Sequence, residues 1–169
     1  TWTGSANVAV TGAGGGAGSS SATSGAFTPP AAGWYRIRAA FGATDSYLDS
    51  SAATDVFEVT LTPTTTTTTV SAATVALGGS VTDTATVTGE GTRQPGGTVT
   101  FTACFDATAY PTSCTSGDSP TTIGSAKTLA GAGAHSSTAT SDAFTPAQGG
   151  YYLLHAVYSP DGKHTGSAD

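Results

Sequence analysis

Apolar and polar residues alternate with period two through much of the chain. In residues 80–88, Val81, Asp83, Ala85 and Val87 share one face while Thr82, Thr84, Thr86 and Thr88 take the other. Residues 98–105 continue the pattern with Val99, Phe101 and Ala103 on one side. The most apolar run, 151–159, sets Tyr152, Leu154, Ala156 and Tyr158 against Tyr151, Leu153 and His155. Side chains of a strand point alternately to opposite faces, so these runs predict half-buried β-strands. Residues 64–70, six Thr and a Val, predict a short edge strand, because β-branched side chains fit a pleated surface. Shorter strands are predicted near 123–129 and 136–144, and Gly- and Pro-bearing segments at 77–79 and 90–97 predict turns. About seven short strands between turns predict an all-β chain folded as an antiparallel sandwich.

The pattern occurs twice. Residues 21–35 (SATSGAFTPPAAGWY) align with 138–152 (TATSDAFTPAQGGYY) at a constant offset of 117, and the match continues through 36–42 against 153–159. Residues 1–62 read as the later part of one copy, with its early strands missing. Its last strand is marked by the alternation of Phe57, Val59 and Leu61. Residues 63–169 read as a second copy that stops before the counterpart of that strand. In the first copy Tyr35, Ile37, Ala39 and Phe41 are expected to face a core, and Trp34, Arg36 and Arg38 to face away.

Composition explains how thin that core must be. Thr and Ala number 34 and 29, whereas Leu, Ile, Val and Phe together supply only 24 of 169 residues. The net charge of −6 with five basic residues leaves no footprint for nucleic acid or an anionic membrane surface. No run of 18 apolar residues is present to insert into a membrane. No charged leader with an apolar core opens the chain, so any secretion signal is expected to lie outside this segment or to have been removed.

The strings LGGSVTDTATVTG (77–89), GTVTFTAC (97–104), FTP-x-x-x-G-x-Y (144–152) and AVYSPDG (156–162) now carry a resemblance. Their order and spacing resemble the immunoglobulin-like repeats of large bacterial, especially actinobacterial, cell-surface proteins. The likeness covers the second copy almost throughout and extends to AFTPPAAGWY (26–35) in the first. It implies tandem immunoglobulin-like sandwiches used as extracellular spacer or adhesion modules, with no catalytic residues to carry over. Pro160, where such repeats often have Gly, and the longer turn at 42–45 depart from the pattern. A sandwich of this type can place a Tyr after a Gly corner with its hydroxyl bonded back to the backbone, the role expected of Tyr35 and Tyr152.

Candidate chemistry is sparse. Cys104 and Cys114 flank a nine-residue segment and suit a disulfide worth about 2–3 kcal/mol, with free thiols as the alternative; a disulfide points to an oxidising compartment. The Gly-rich run 12–17 formally fits a dinucleotide fingerprint, but SSSATSG follows it rather than a helix, so a hairpin loop is expected and no cofactor. His135, His155 and His164 are expected at the surface, without a nucleophile elbow beside them. Asp45 and Asp161, in corresponding turns, are expected to bond their own backbone rather than a metal. Asp83 facing inward could meet Lys127 in a cross-link, although a hydrogen-bonded Asp is the simpler reading. The Thr run at 64–69 offers hydroxyls for O-linked glycans.

Two functions compete at this level. One is a non-catalytic repeat of an extracellular stalk, fibre or surface protein, in contact with neighbouring repeats or identical subunits. Phe57, Val59 and Leu61 would then be a strand donated between subunits. The other is a glycan- or surface-binding adhesion module using exposed aromatics, with Trp34 and Tyr151 as the ligand contacts. An enzyme has no supporting pattern.

Overall fold

The computed structural model describes residues 11–12, 20–52, 55–114 and 119–169. Their regular structure is entirely β, and every pairing between strands is antiparallel. The chain divides into two compact units, Thr1–Pro30 and Ala31–Asp169, and the repeat boundary expected at 62/63 falls inside the second. In the first unit β1 (Thr11–Gly12) pairs with β2 (Ser20–Ser21). Trp2, Asn7 and the Gly-rich segment 13–17 lie outside the described residues.

The second unit opens with two separate two-stranded ribbons. β3 (Gly33–Ile37) pairs not with its neighbours β4 (Ala40–Phe41) and β5 (Ser50–Ser51), which pair with each other, but with β6 (Asp55–Val59). The single strand expected over 35–41 is thus interrupted after Ile37. Ile37 is 47 % exposed and Ala39 is exposed too, against the expectation that both face a core; Tyr35 and Phe41 are half-buried. A two-stranded ribbon has too little surface to bury a full face, so the alternation is present without the burial it usually reports.

Residues 63–169 hold the core. β7 (Thr64–Val70), β8 (Asp83–Gly89), β12 (Ala130–Gly131) and β13 (Ser136–Thr140) form a four-stranded sheet in the order β12-β13-β8-β7. A five-stranded sheet is built on β9 (Gly97–Asp106) and β14 (Tyr151–Pro160), which pair along their whole length. β10 (Thr121–Thr122) and β11 (Lys127–Thr128) pair with β9, and β15 (Ser167–Ala168) borders β14 on its other side. Of the strand expected over 123–129 only Lys127–Thr128 is formed, with β10 just ahead of it. That expected over 136–144 ends at Thr140, Phe144 rejoining only through a bridge to Val81.

One hydrophobic cluster draws on both sheets. Ala85, Val87 and Ala139 come from the four-stranded sheet, and Val99, Phe101, Ala103, Ala156 and Tyr158 from the five-stranded one, with Ile123. These are the residues that the alternation turns inward, and Phe101 is the largest of the fully buried ones. Small partners such as Ala85, Ala139 and Ala156 let the two inner faces approach closely, which is how a chain so poor in large apolar groups still builds a core. Within the five-stranded sheet the β9–β14 pairing depends on Gly97, where φ is +105° and a Cβ would lie 2.3 Å from the Ser159 carbonyl oxygen.

The Thr run has two faces. Thr64 Oγ1 donates to the Thr165 carbonyl at 2.8 Å and lies 2.9 Å from Ser167 Oγ, which is 2.7 Å from Thr66 Oγ1. Thr68 Oγ1 donates to Asp169 Oδ2 at 2.5 Å. Even-numbered hydroxyls thus tie β7 to the edge of the other sheet. Thr65, Thr67 and Thr69 remain exposed.

Candidate functional site

A groove of about 480 Å³ lies at one end of residues 63–169, between β7 and the first half of β14. Val70, Val75, Leu77, Phe144, Tyr152 and Leu154 supply its apolar lining. Leu77 is 70 % exposed, so an apolar wall here faces solvent. The groove lies where β15 ends. β15 covers only Val157 and Tyr158 of β14, and Asp169 extends the contact by one residue, its N–H donating to the Ala156 carbonyl at 3.3 Å. No described strand pairs with residues 151–155 on that side. Backbone bonding alternates along an antiparallel strand, so the N–H and C=O groups of Tyr152 and Leu154 point, like those of Ala156, to this open edge.

Asp83 lies in the groove floor. It is 1 % exposed, as its inward position in the alternation predicts, and its Oδ2 has no hydrogen-bond partner. Burial, with the nearby Asp169 charge, raises its pKa above the ordinary 3.8, and the Thr84 N–H only partly offsets this. Lys127 is engaged elsewhere, its Nζ donating to Asp142 Oδ2 at 2.7 Å. That bond leads the causes that lower the Asp142 pKa.

The tyrosines repeat one geometry. Tyr35 Oη donates to the Ala31 carbonyl at 2.7 Å, and Tyr152 Oη to the Gln148 carbonyl at 3.1 Å, in each case four residues back. Both follow a glycine with positive φ, Gly33 at +140° and Gly150 at +152°. At Gly150 a Cβ would lie 2.4 Å from the Phe105 ring, so the corner brings Tyr152 against Phe105 and Phe144, with centroids 4.9 and 5.4 Å away. Tyr35 stacks instead on Phe57, at 5.5 Å and 19° between planes. Phe57 and Val59 are half-buried on β6, whereas Leu61 is exposed.

Cys104 and Cys114 are joined in a disulfide, with Cα atoms 5.5 Å apart, that ties the loop after β9 back to the strand. Asp106, at the start of that loop, has a lowered pKa because the Thr108 N–H, the Thr108 hydroxyl and the Ala109 N–H all donate to it. The loop carries Tyr110 to the groove rim, where its ring packs on Tyr151 at 4.5 Å. Trp34, 71 % exposed, stands opposite Glu58 on β3 and is not part of the groove lining. The two candidate ligand contacts therefore occupy separate places.

His135 is exposed and His155 half-buried, but His164 is fully buried, contrary to the expected surface position. The chain returns past the end of the first copy here: the Thr62 N–H donates to the Lys163 carbonyl at 3.0 Å and the Thr165 N–H to the Thr62 carbonyl at 2.9 Å. These bonds cover the ring. Its Nδ1 lies 2.9 Å from Asp161 Oδ1, and its Nε2 has no partner. Burial raises the Asp161 pKa, but His164, the Lys163 N–H and the Gly96 N–H together outweigh it and leave the pKa lowered. The ring of His164 is sealed from solvent, whereas the Asp161 side chain is 24 % exposed. Among the described residues no three His, Cys, Asp or Glu side chains gather as a metal site. Among the described residues the accessible surface offers an apolar groove beside the first half of β14.

No protein-family model matches the chain, and no curated protein or solved structure matches it either.

Proposed function

We propose that the chain is a non-catalytic structural repeat of an extracellular stalk, fibre or surface protein, with residues 63–169 forming an immunoglobulin-like antiparallel sandwich that serves as spacer and self-association module. The observation that carries this reading is the tyrosine corner, made twice at positions 117 apart with the same four-residue bond. A local device repeated to that degree is what a tandem module requires, since each copy must reach the same fold from its own short sequence. The two sheets on one shared core, the disulfide and the short link at Pro63 add support. A disulfide fits an oxidising compartment outside the cell.

Pulling on the chain by its ends is the test. A spacer module gives a discrete unfolding event whose released length grows on reduction, because the disulfide withholds the segment between Cys104 and Cys114. Smooth extension without an event would oppose the reading. The exposed Trp34 keeps the adhesion reading as the second possibility. Saturable binding on a glycan array that disappears in Trp34→Ala would favour it.

A further inference from the structure

Residues 62–66 run alongside residues 163–167, and we propose that the bonds between these two segments are a shear clamp, the part of the chain that bears tension. This rests on reading the chain as a spacer and specifies which residues resist the load.

Direction singles the two segments out. Among the described residues the strands pair antiparallel, and the bridge of Thr62 to His164 is the one parallel bridge. The segments keep that direction beyond it, since Thr64 bonds to Thr165 and Thr66 to Ser167. Tension that enters before Thr62 and leaves after Ser167 therefore drags them past each other along their length and loads every crossing bond at once. An antiparallel pair pulled at neighbouring ends opens one bond at a time. Forced unfolding follows the rate of crossing the barrier, so bonds that must break together decide it.

The crossing bonds form a chain with a fixed sense. The Thr62 N–H donates to the Lys163 carbonyl at 3.0 Å, and the Thr165 N–H donates to the Thr62 carbonyl at 2.9 Å. The Thr64 N–H donates to Thr165 Oγ1 at 3.3 Å, and the Thr64 hydroxyl donates to the Thr165 carbonyl at 2.8 Å. A hydroxyl has a single proton. With the Thr64 proton on that carbonyl, Ser167 must donate to Thr64 across 2.9 Å, and Thr66 must donate to Ser167 across 2.7 Å. Removing one hydroxyl leaves its neighbours short of a partner, so these bonds hold as a unit.

Water competes for any bond that opens, and the clamp keeps it out. Thr66 and His164 are buried, and Thr64, Thr165 and Ser167 are half-buried. The His164 ring packs on Gly89, where a Cβ would lie 3.5 Å from its Cδ2. The Glu90 N–H donates to the Pro63 carbonyl at 3.1 Å, which fixes the entering segment to the turn after β8 as well. Thr65 is exposed, on the opposite face of β7 from Thr64 and Thr66.

The test pulls the full chain at constant force and reads the unfolding rate. Thr64→Val and Ser167→Ala should each unfold about ten-fold faster than the native chain, the effect of about one lost hydrogen bond on the barrier. Thr65→Val, the same change on the other face, should unfold at the native rate. In urea without load the acceleration by the first two should be smaller. An unchanged rate under force in Thr64→Val and Ser167→Ala, or equal acceleration with and without load, would overturn the clamp and leave the spacer reading intact. Acceleration by Thr65→Val to the same degree would overturn it too. Smooth extension of the native chain, with no unfolding event, would overturn the spacer reading itself.

Discussion

Two buried side chains set opposite requirements. Phe101 is fully enclosed by residues of both sheets, and the small residues around it cannot grow to fill its place. Phe101→Ala should therefore cost about 3–5 kcal/mol, read as a lower urea midpoint, and a cost below about 1 kcal/mol would show that the two sheets do not share this core. Asp83 is a liability of the site. Its pKa is raised by burial and by Asp169, so the folded state holds its proton more tightly than the unfolded chain does. The stability linked to that proton is complete below about pH 4 and is lost as pH rises through the folded value. Asp83→Asn should raise the urea midpoint at pH 7, with the gain fading as pH falls towards 4. A gain of equal size at both pH values, or a loss at pH 7, would contradict this account of the carboxyl.

At the scale of elements, the strands that alternate against a second layer were legible and the others were not. Residues 64–70, 83–89, 97–106 and 151–160 lie where period two and the turn residues put them, and Asp83 is inward for the same reason. Ile37 shows the limit, because alternation states which residues share a face and not whether anything covers it. His164 shows another: the Thr62 backbone that closes over it lies about a hundred residues away, beyond any local pattern. The groove was equally hidden, since it exists only once β7 and β14 face each other. The disulfide could be read from two Cys ten residues apart, and its loop is the element most dependent on a single bond. Reduction should cost about 2.5–3 kcal/mol, with the midpoint falling in reductant and unchanged by reductant in a Cys104→Ser/Cys114→Ser variant. An unchanged midpoint on reduction of the native chain would mean that the loop stays ordered without its tether.

At the scale of the whole molecule, residues 63–169 join two antiparallel sheets through one thin core, with Ala85, Val87 and Ala139 on one side and Val99, Phe101, Ala103, Ala156 and Tyr158 on the other. Two sheets that share a core lose their structure together. Amide hydrogen exchange, followed residue by residue on the full chain at rising urea, addresses this most directly. The amides of Leu153, His155 and Val157, which pair with β9, should exchange slowly and lose protection at the same urea concentration as the paired amides of β8 and β13. Loss of protection in one sheet well before the other, or fast exchange in both without urea, would contradict the account.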